Sequence, residues 1–182
     1  MSGTCKCIHS DSGEKSPETV IGVNTVAEAQ YEDAQTWVCW DIEDCPVPRG
    51  CKPEKIAEQI RSALAKLNYV GPISISAYGN MNRIPSSMKK ALSSSGVVLN
   101  HVPPSEFRQY IFDEILFWPC QSPAPANVMV ITRDESLSSM LRKKQLDGRY
   151  NVLLALPRNA SEYLAASAKT TWVWRSLLLD EP

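Results

Sequence analysis

The residues best placed for chemistry are acids that follow short apolar runs. Asp41 closes Trp37-Val38-Cys39-Trp40, with Glu43 and Asp44 close behind, and Asp134 follows Val128-Met129-Val130-Ile131, with Glu135 beside it. Two carboxylates facing each other suit a hard divalent cation, held through oxygen with several waters retained. Such a cation activates water and stabilises a phosphoryl transition state. Acids in these positions also serve as helix N-caps, so the spacing leaves both readings open.

Several other chemistries are excluded. No Gly-x-Gly-x-x-Gly follows a strand, no Gly-x(4)-Gly-Lys-Ser/Thr is present, and no Gly-x-Ser-x-Gly elbow occurs. The two histidines are His9 and His101. A His-dependent triad therefore lacks partners, and His101 reads as a hydrogen-bonded structural residue. Cys5, Cys7 and His9 form a Cys-x-Cys-x-His group with no second ligand pair at zinc-finger spacing, which reads as solvated tail. Cys39 reads as core, and Cys45 and Cys51 share a loop in which they could meet under oxidation. Without a secretory signal, the six cysteines read as free thiols.

The elements that must hold these acids follow from the apolar pattern. Ile56, Ile60, Leu64 and Leu67 share one helical face behind Pro53, and Gly71-Pro72 stops that helix. Ile73–Tyr78 is a second strand. Ile84, Met88 and Leu92 mark a second helix ended by Gly96, and Val97–Leu99 is a third strand. A third helix carries Phe107, Ile111, Ile115 and Trp118, with Ser105 as its N-cap, and Pro119 with Ser122-Pro123-Ala124-Pro125 ends it. Val128–Ile131 is apolar throughout, as expected of a central parallel strand covered on both faces. Leu137, Met140 and Leu141 mark a fourth helix, and Asn151–Leu156 a fifth strand. A helical turn follows at Tyr163–Ala166, and Thr171–Trp174 reads as an edge strand with one tryptophan facing in and the other exposed. Strands alternating with helices predict a single α/β domain with a central, mainly parallel sheet and right-handed crossovers. Ligands bind such sheets at the carboxyl ends of the strands.

The 182 residues suit one domain, and 43% hydrophobic with 21% charged residues excludes a wholly disordered chain. Residues 1–35 carry six acids against two bases, while the rest carries 17 bases against 14 acids. This predicts a flexible acidic tail, with a short helix around Val26–Tyr31, ahead of a mildly basic body at 36–182. No apolar run spans a bilayer. With neither a secretory signal nor a transit peptide, a cytoplasmic or nuclear location and no membrane partner are expected.

Trp40-Asp41-Ile42-Glu43-Asp44-Cys45-Pro46-Val47-Pro48 resembles the opening motif of NYN-domain proteins. The resemblance continues through Gly71-Pro72-Ile73, Ala77-Tyr78-Gly79-Asn80, His101-Val102-Pro103, Leu116-Phe117-Trp118 and Pro123–Asn127 to Ala168–Trp174. It covers roughly residues 36–178, and its nearest branch is similar to plant members of the group related to meiosis regulator and mRNA stability factor proteins. It implies a PIN-like, Rossmann-like fold and metal-dependent endoribonuclease chemistry, with Mg²⁺ or Mn²⁺ as the ion if the site is active and with single-stranded RNA as substrate.

Carried over residue by residue, the motif has several departures. Asp41 and Asp134 match family aspartates, and Glu114 matches a family acid. Asp44 stands for asparagine and Asn80 for the aspartate of many members. Arg108 and Ser136 fall on two expected carboxylates, and Arg133 falls on a glycine. Asp41 and Asp134 then remain as remnant metal ligands, with Glu114 and Asp44 as further possibilities and Glu106 and Glu135 as displaced ones. Arg108 is expected to seat its guanidinium in the ion's place, leaving a weak or inactive nuclease. Arg49, Lys52, Asn80, Arg83, Arg108 and Arg133 are expected to hold an RNA backbone. Two alternatives are a scaffold for regulatory protein partners without RNA binding, and an active endoribonuclease with rearranged ligands.

Overall fold

The structure is a computed structural model that describes residues 21–179. Its centre is one six-stranded sheet, parallel throughout: β1 (Thr36–Asp41), β2 (Ile73–Gly79), β3 (Val97–His101), β4 (Ala126–Ile131), β5 (Tyr150–Leu156) and β6 (Thr170–Val173). The strand order is β3-β2-β1-β4-β5-β6. The two most apolar runs of the sequence therefore lie side by side in the middle, where every residue of β1 and β4 is buried.

Alternation along β1 divides the core between two faces. Val38 and Trp40 meet Ile56, Ile60 and Leu64 of α2 (Ile56–Lys66), Leu92 of α3 (Ser86–Ser94) and Leu178 of a C-terminal helix (Trp174–Leu179). Trp37 and Cys39 meet Ile111 and Ile115 of α4 (Phe107–Gln121), Leu141 of α5 (Ser138–Asp147) and Leu164 of α6 (Glu162–Ala165). The C-terminal helix is α7, and α1 is the single turn Ala29–Glu32 ahead of the sheet. Among the described residues, no helix is long and apolar enough to cross a membrane.

Four expectations need correction. Residues 21–35 do not behave as tail. Val23 accepts a backbone hydrogen bond from Thr171, Thr25 bonds Thr170, and the buried Tyr31 donates its hydroxyl to the Gly148 carbonyl at 2.6 Å. One backbone bond and a few threonine hydroxyls hold this segment to β6, and neither leaves an apolar periodicity in the sequence. Cys5, Cys7 and His9 lie outside the described residues. Secondly, α4 starts at Phe107, with Glu106 at its N-cap position and no side-chain cap bond from Ser105. Thirdly, α4 passes through Pro119 and ends at Gln121, where the expected Ser122-Pro123-Ala124-Pro125 stretch begins. Pro119 is buried within the last turn, where a missing N–H costs a single helical bond, and its carbonyl accepts Tyr150 Oη at 3.1 Å. Finally, Trp172 and Trp174 are both buried, because the chain turns from β6 into α7 at Trp174 and alternation ends there.

Candidate functional site

Because β1 and β4 are neighbours, their carboxyl ends meet. Asp41, the last residue of β1, is buried. Its Oδ1 accepts the backbone N–H groups of Glu43 (3.1 Å) and Asp44 (3.0 Å), and its Oδ2 accepts the Thr132 hydroxyl at 3.4 Å. Thr132, just past β4, also accepts the Asp134 N–H at 3.0 Å, so one buried hydroxyl joins the two strand ends. Asp134 Oδ1 accepts Ser136 N–H at 3.0 Å and caps the 3-10 turn Glu135–Leu137 that leads into α5. Asp134 thus performs the N-cap role that its position allowed.

Burial pushes the Asp41 carboxyl up to about 7. The Asp44 N–H pulls it down, the Asp44 charge pushes it up, and the Glu43 N–H and Thr132 hydroxyl pull it down. Hydrogen bonds to the charged form lower an acid's pKa, and here desolvation outweighs them.

The surrounding acids are each held by protein groups. Glu43 Oε1 accepts the Asn80 N–H. It reaches over the end of β2 because Gly79 has no side chain: a Cβ there would lie 2.6 Å from Ile42 Cγ2 and 3.1 Å from Glu43 Cγ. Asn80 Oδ1 is turned to Asn82 N–H at 3.1 Å, closing the 3-10 turn Met81–Arg83. His101 Nδ1 accepts Met81 N–H at 3.1 Å, the structural role expected of it. Glu114 Oε2 accepts the Tyr78 hydroxyl at 3.0 Å, and burial is the main cause that pushes that phenol well above its usual range. Cys39 is buried on β1, two residues before Asp41. Its thiol is pushed well up by burial first, then by the charges of Asp41 and Glu114.

This donor set does not fit a divalent cation. Among the described residues, no three His, Cys, Asp or Glu side chains gather closely enough to hold a metal ion. Asp41, Glu43, Asp134 and Glu114 each spend an oxygen on a protein donor. The guanidinium seat expected for Arg108 is not found either. Arg108 is exposed in the first turn of α4, where water solvates its charge, and it makes no ion pair among the described residues. The arginine at the site is Arg133, whose Nη2 lies 3.9 Å from Asp44 Oδ1, with both side chains partly exposed. Such a pair is worth less than about 1 kcal/mol.

Arg49, Lys52 and Arg83 are exposed on the strand-end loops, while Glu106 and Glu135 are exposed away from the hydrogen bonds of Asp41. The loop carrying Arg49 and Lys52 is fastened by two indoles. Trp40 Nε1 donates to the Cys45 carbonyl at 2.7 Å and Trp174 Nε1 to the Pro46 carbonyl at 3.2 Å, with ring centroids 5.3 Å apart. Sequence reasoning missed Thr132, although a hydroxyl directly after a buried run was a usable signal. It also missed the loop-holding role of Trp174, 128 residues from Pro46, for which no local signal exists.

An all-parallel six-stranded sheet with helices on both faces and carboxylates at its carboxyl ends defines a PIN-like α/β domain. The NYN domain family model matches residues 35–174, and the chain belongs to that family. Its fold is similar to a crystal structure of a protein of unknown function from Vibrio parahaemolyticus. The TM-score is 0.58 at 13% identity, over 80% of this chain and 94% of that one. No curated protein matches the sequence.

Proposed function

We propose that this NYN domain binds single-stranded RNA across its strand-end loops and that its metal-dependent cleavage is weak or lost. The observation that carries the reading is the use of the acids: the buried Asp41 anchors the turn after β1 and Asp134 caps the turn after β4. A cluster built for divalent ions needs unshared oxygens and net negative charge. Here Arg133 and Ser136 stand in the motif that ends β4. The exposed bases Arg49, Lys52, Arg83, Arg108 and Arg133 supply the cationic groups that phosphates require. In the cell this reading places the protein in regulation of gene expression, in the cytoplasm or nucleus, alongside the plant branch that its motifs resemble.

A second reading is an active endoribonuclease with rearranged ligands. It draws on Asp41 and Glu114, whose charges both reach Cys39 from one side of the sheet.

Filter binding of a labelled oligo(U) across salt concentrations tests the first reading. Each phosphate contact contributes about −0.7 to the slope of log K against log salt for single strands, so replacing one contributing base by Ala should flatten the slope by about that amount. Absence of binding at low salt would leave a scaffold for protein partners. Cleavage that requires Mn²⁺ or Mg²⁺ and disappears in Asp41→Asn would establish the second reading. Ser136→Asp combined with Arg133→Gly is expected to raise Mn²⁺ affinity, read by calorimetry.

A further inference from the structure

We propose that the groove between α4 and α5 is a docking site for an acidic amphipathic helix of a partner protein. The groove adjoins the end of β4 through Ser136, but the proposal does not depend on RNA binding.

The first observation is that α4, although it carries Arg108, Gln109, Asp113 and Glu114, leaves large apolar side chains outside the core. Ile111 and Ile115 point into the core, yet Leu116, on the side that faces α5, remains 40% exposed, with Phe112 half-buried one turn before it. A helix that only covers a sheet shows a polar outer face. An apolar strip that stays outside the core, as Phe112 and Leu116 do, is a second surface to cover.

The second observation is the shape of that surface. A groove of about 420 Å³ separates α4 from α5, with Phe112, Leu116 and Met140 as its apolar floor. Its size falls within the range of roughly 300–1,000 Å³ typical of binding clefts. Helices that dock in grooves insert apolar anchors spaced three or four residues apart, and a methionine in the floor adapts to their shape.

The charge of the rim selects the partner. Lys143 and Lys144 form the α5 wall, and Arg142 precedes them. Neither Arg142 nor Lys143 makes an ion pair among the described residues. Asp147, the acid of the lining, is already taken by Arg149 at 2.7 Å. The wall is thus net positive, and its lysine stems can lie along apolar surface while their ammonium groups meet carboxylates. A nucleic-acid strand is a poorer fit, because the floor is mainly aliphatic and thioether surface around a half-buried Phe112, without an exposed ring for base stacking.

The test uses the full chain and a fluorescein-labelled peptide of Glu and Leu patterned for an amphipathic helix, with a scrambled peptide of the same composition as control. Fluorescence anisotropy is expected to show at least tenfold tighter binding of the patterned peptide, weakening with salt. Leu116→Asp, and separately Lys143→Glu with Lys144→Glu, should each weaken it at least tenfold, with circular dichroism unchanged. If Leu116→Asp perturbs the fold, the lysine pair still reads the contact from the rim. Equal binding of the scramble, or indifference to both sets of variants, would overturn the proposal. So would an oligo(U) whose affinity falls with the lysine variants while the peptide fails to bind. A concentration-dependent dimer abolished by Leu116→Asp in sedimentation would assign the groove to a second copy, and would also overturn it.

Discussion

The two ends of the same central strands treat buried polarity in opposite ways. At the amino ends, Thr36 of β1 pairs in register with Asn127 of β4, and Asn127 with Asn151 of β5. Asn127 Nδ2 donates to the Tyr31 carbonyl (3.0 Å) and the Thr36 hydroxyl (3.2 Å). Asn151 Nδ2 donates to Asn127 Oδ1 (3.1 Å) and the Tyr69 hydroxyl (2.9 Å). All of these groups are buried and neutral. At the carboxyl ends, Asp41 and Thr132 are equally buried, and Asp41 accepts three hydrogen bonds, yet its carboxyl is pushed up to about 7. A neutral amide is fully satisfied by its neighbours. A carboxylate with every hydrogen bond made still carries a desolvated charge that only a cation or a proton removes. The first end can be purely structural, whereas the second holds a group whose ionisation depends on its surroundings.

The largest expected effect tests that contrast through pH. The Asp41 carboxyl titrates near 7 in the folded state against an ordinary 3.8. Between these values the folded chain keeps a proton that the unfolded chain has released. Stability is therefore highest below pH 4 as far as this group is concerned, and falls as pH rises toward 7, by on the order of 4 kcal/mol in all. Asp41→Asn should remove that slope in chelated buffer and make the protein more stable than wild type at pH 8, as read by urea unfolding. An unchanged slope would show that Asp41 ionises freely.

Asn127→Ala attacks the other end. It strands the Tyr31 carbonyl, the Thr36 hydroxyl and the Asn151 amide, and should cost about 3 kcal/mol at every pH. For a chain of this size that lowers the thermal midpoint by roughly 6–12 °C. A strongly pH-dependent loss would break the comparison.

Trp174→Phe removes the Nε1 bond to Pro46 and should cost about 1 kcal/mol. The sharper readout is local, since hydrogen exchange in residues 44–51 should accelerate while the amino-end network stays protected. Smallest of all, Arg133→Ala breaks a partly exposed ion pair with Asp44 and should change stability by less than about 0.5 kcal/mol in denaturant unfolding.

Much of the fold was legible because it depends on local pattern. Apolar runs such as Val128–Ile131 mark strands covered on both faces, Ile56, Ile60 and Leu64 mark a helix face, and Gly96 at φ +100° marks a helix end. The pairing of β1 with β4 followed from the usual order of doubly wound sheets. Interactions between distant segments were not legible. Residues 21–25 lie along β6 through one backbone bond, Thr171 N–H to the Val23 carbonyl, and through bonds to the Thr170 and Thr171 hydroxyls, which leave no periodic trace. The motif resemblance puts Arg108 at the site, yet its side chain is exposed on the first turn of α4 while its neighbour Phe107 packs on the core.

By itself, the sequence determined which segments become strands and helices, and that Asp41 and Asp134 stand at strand ends. Those outcomes depend on the chemistry of neighbouring residues and on steric rules that act over a few positions. Tertiary structure alone decided what the acids do there. Hydrogen-bond partners, burial and charge are set by atoms brought together from distant parts of the chain. Thr132 therefore binds Asp41, Arg133 pairs with Asp44, and Glu114 turns to Tyr78.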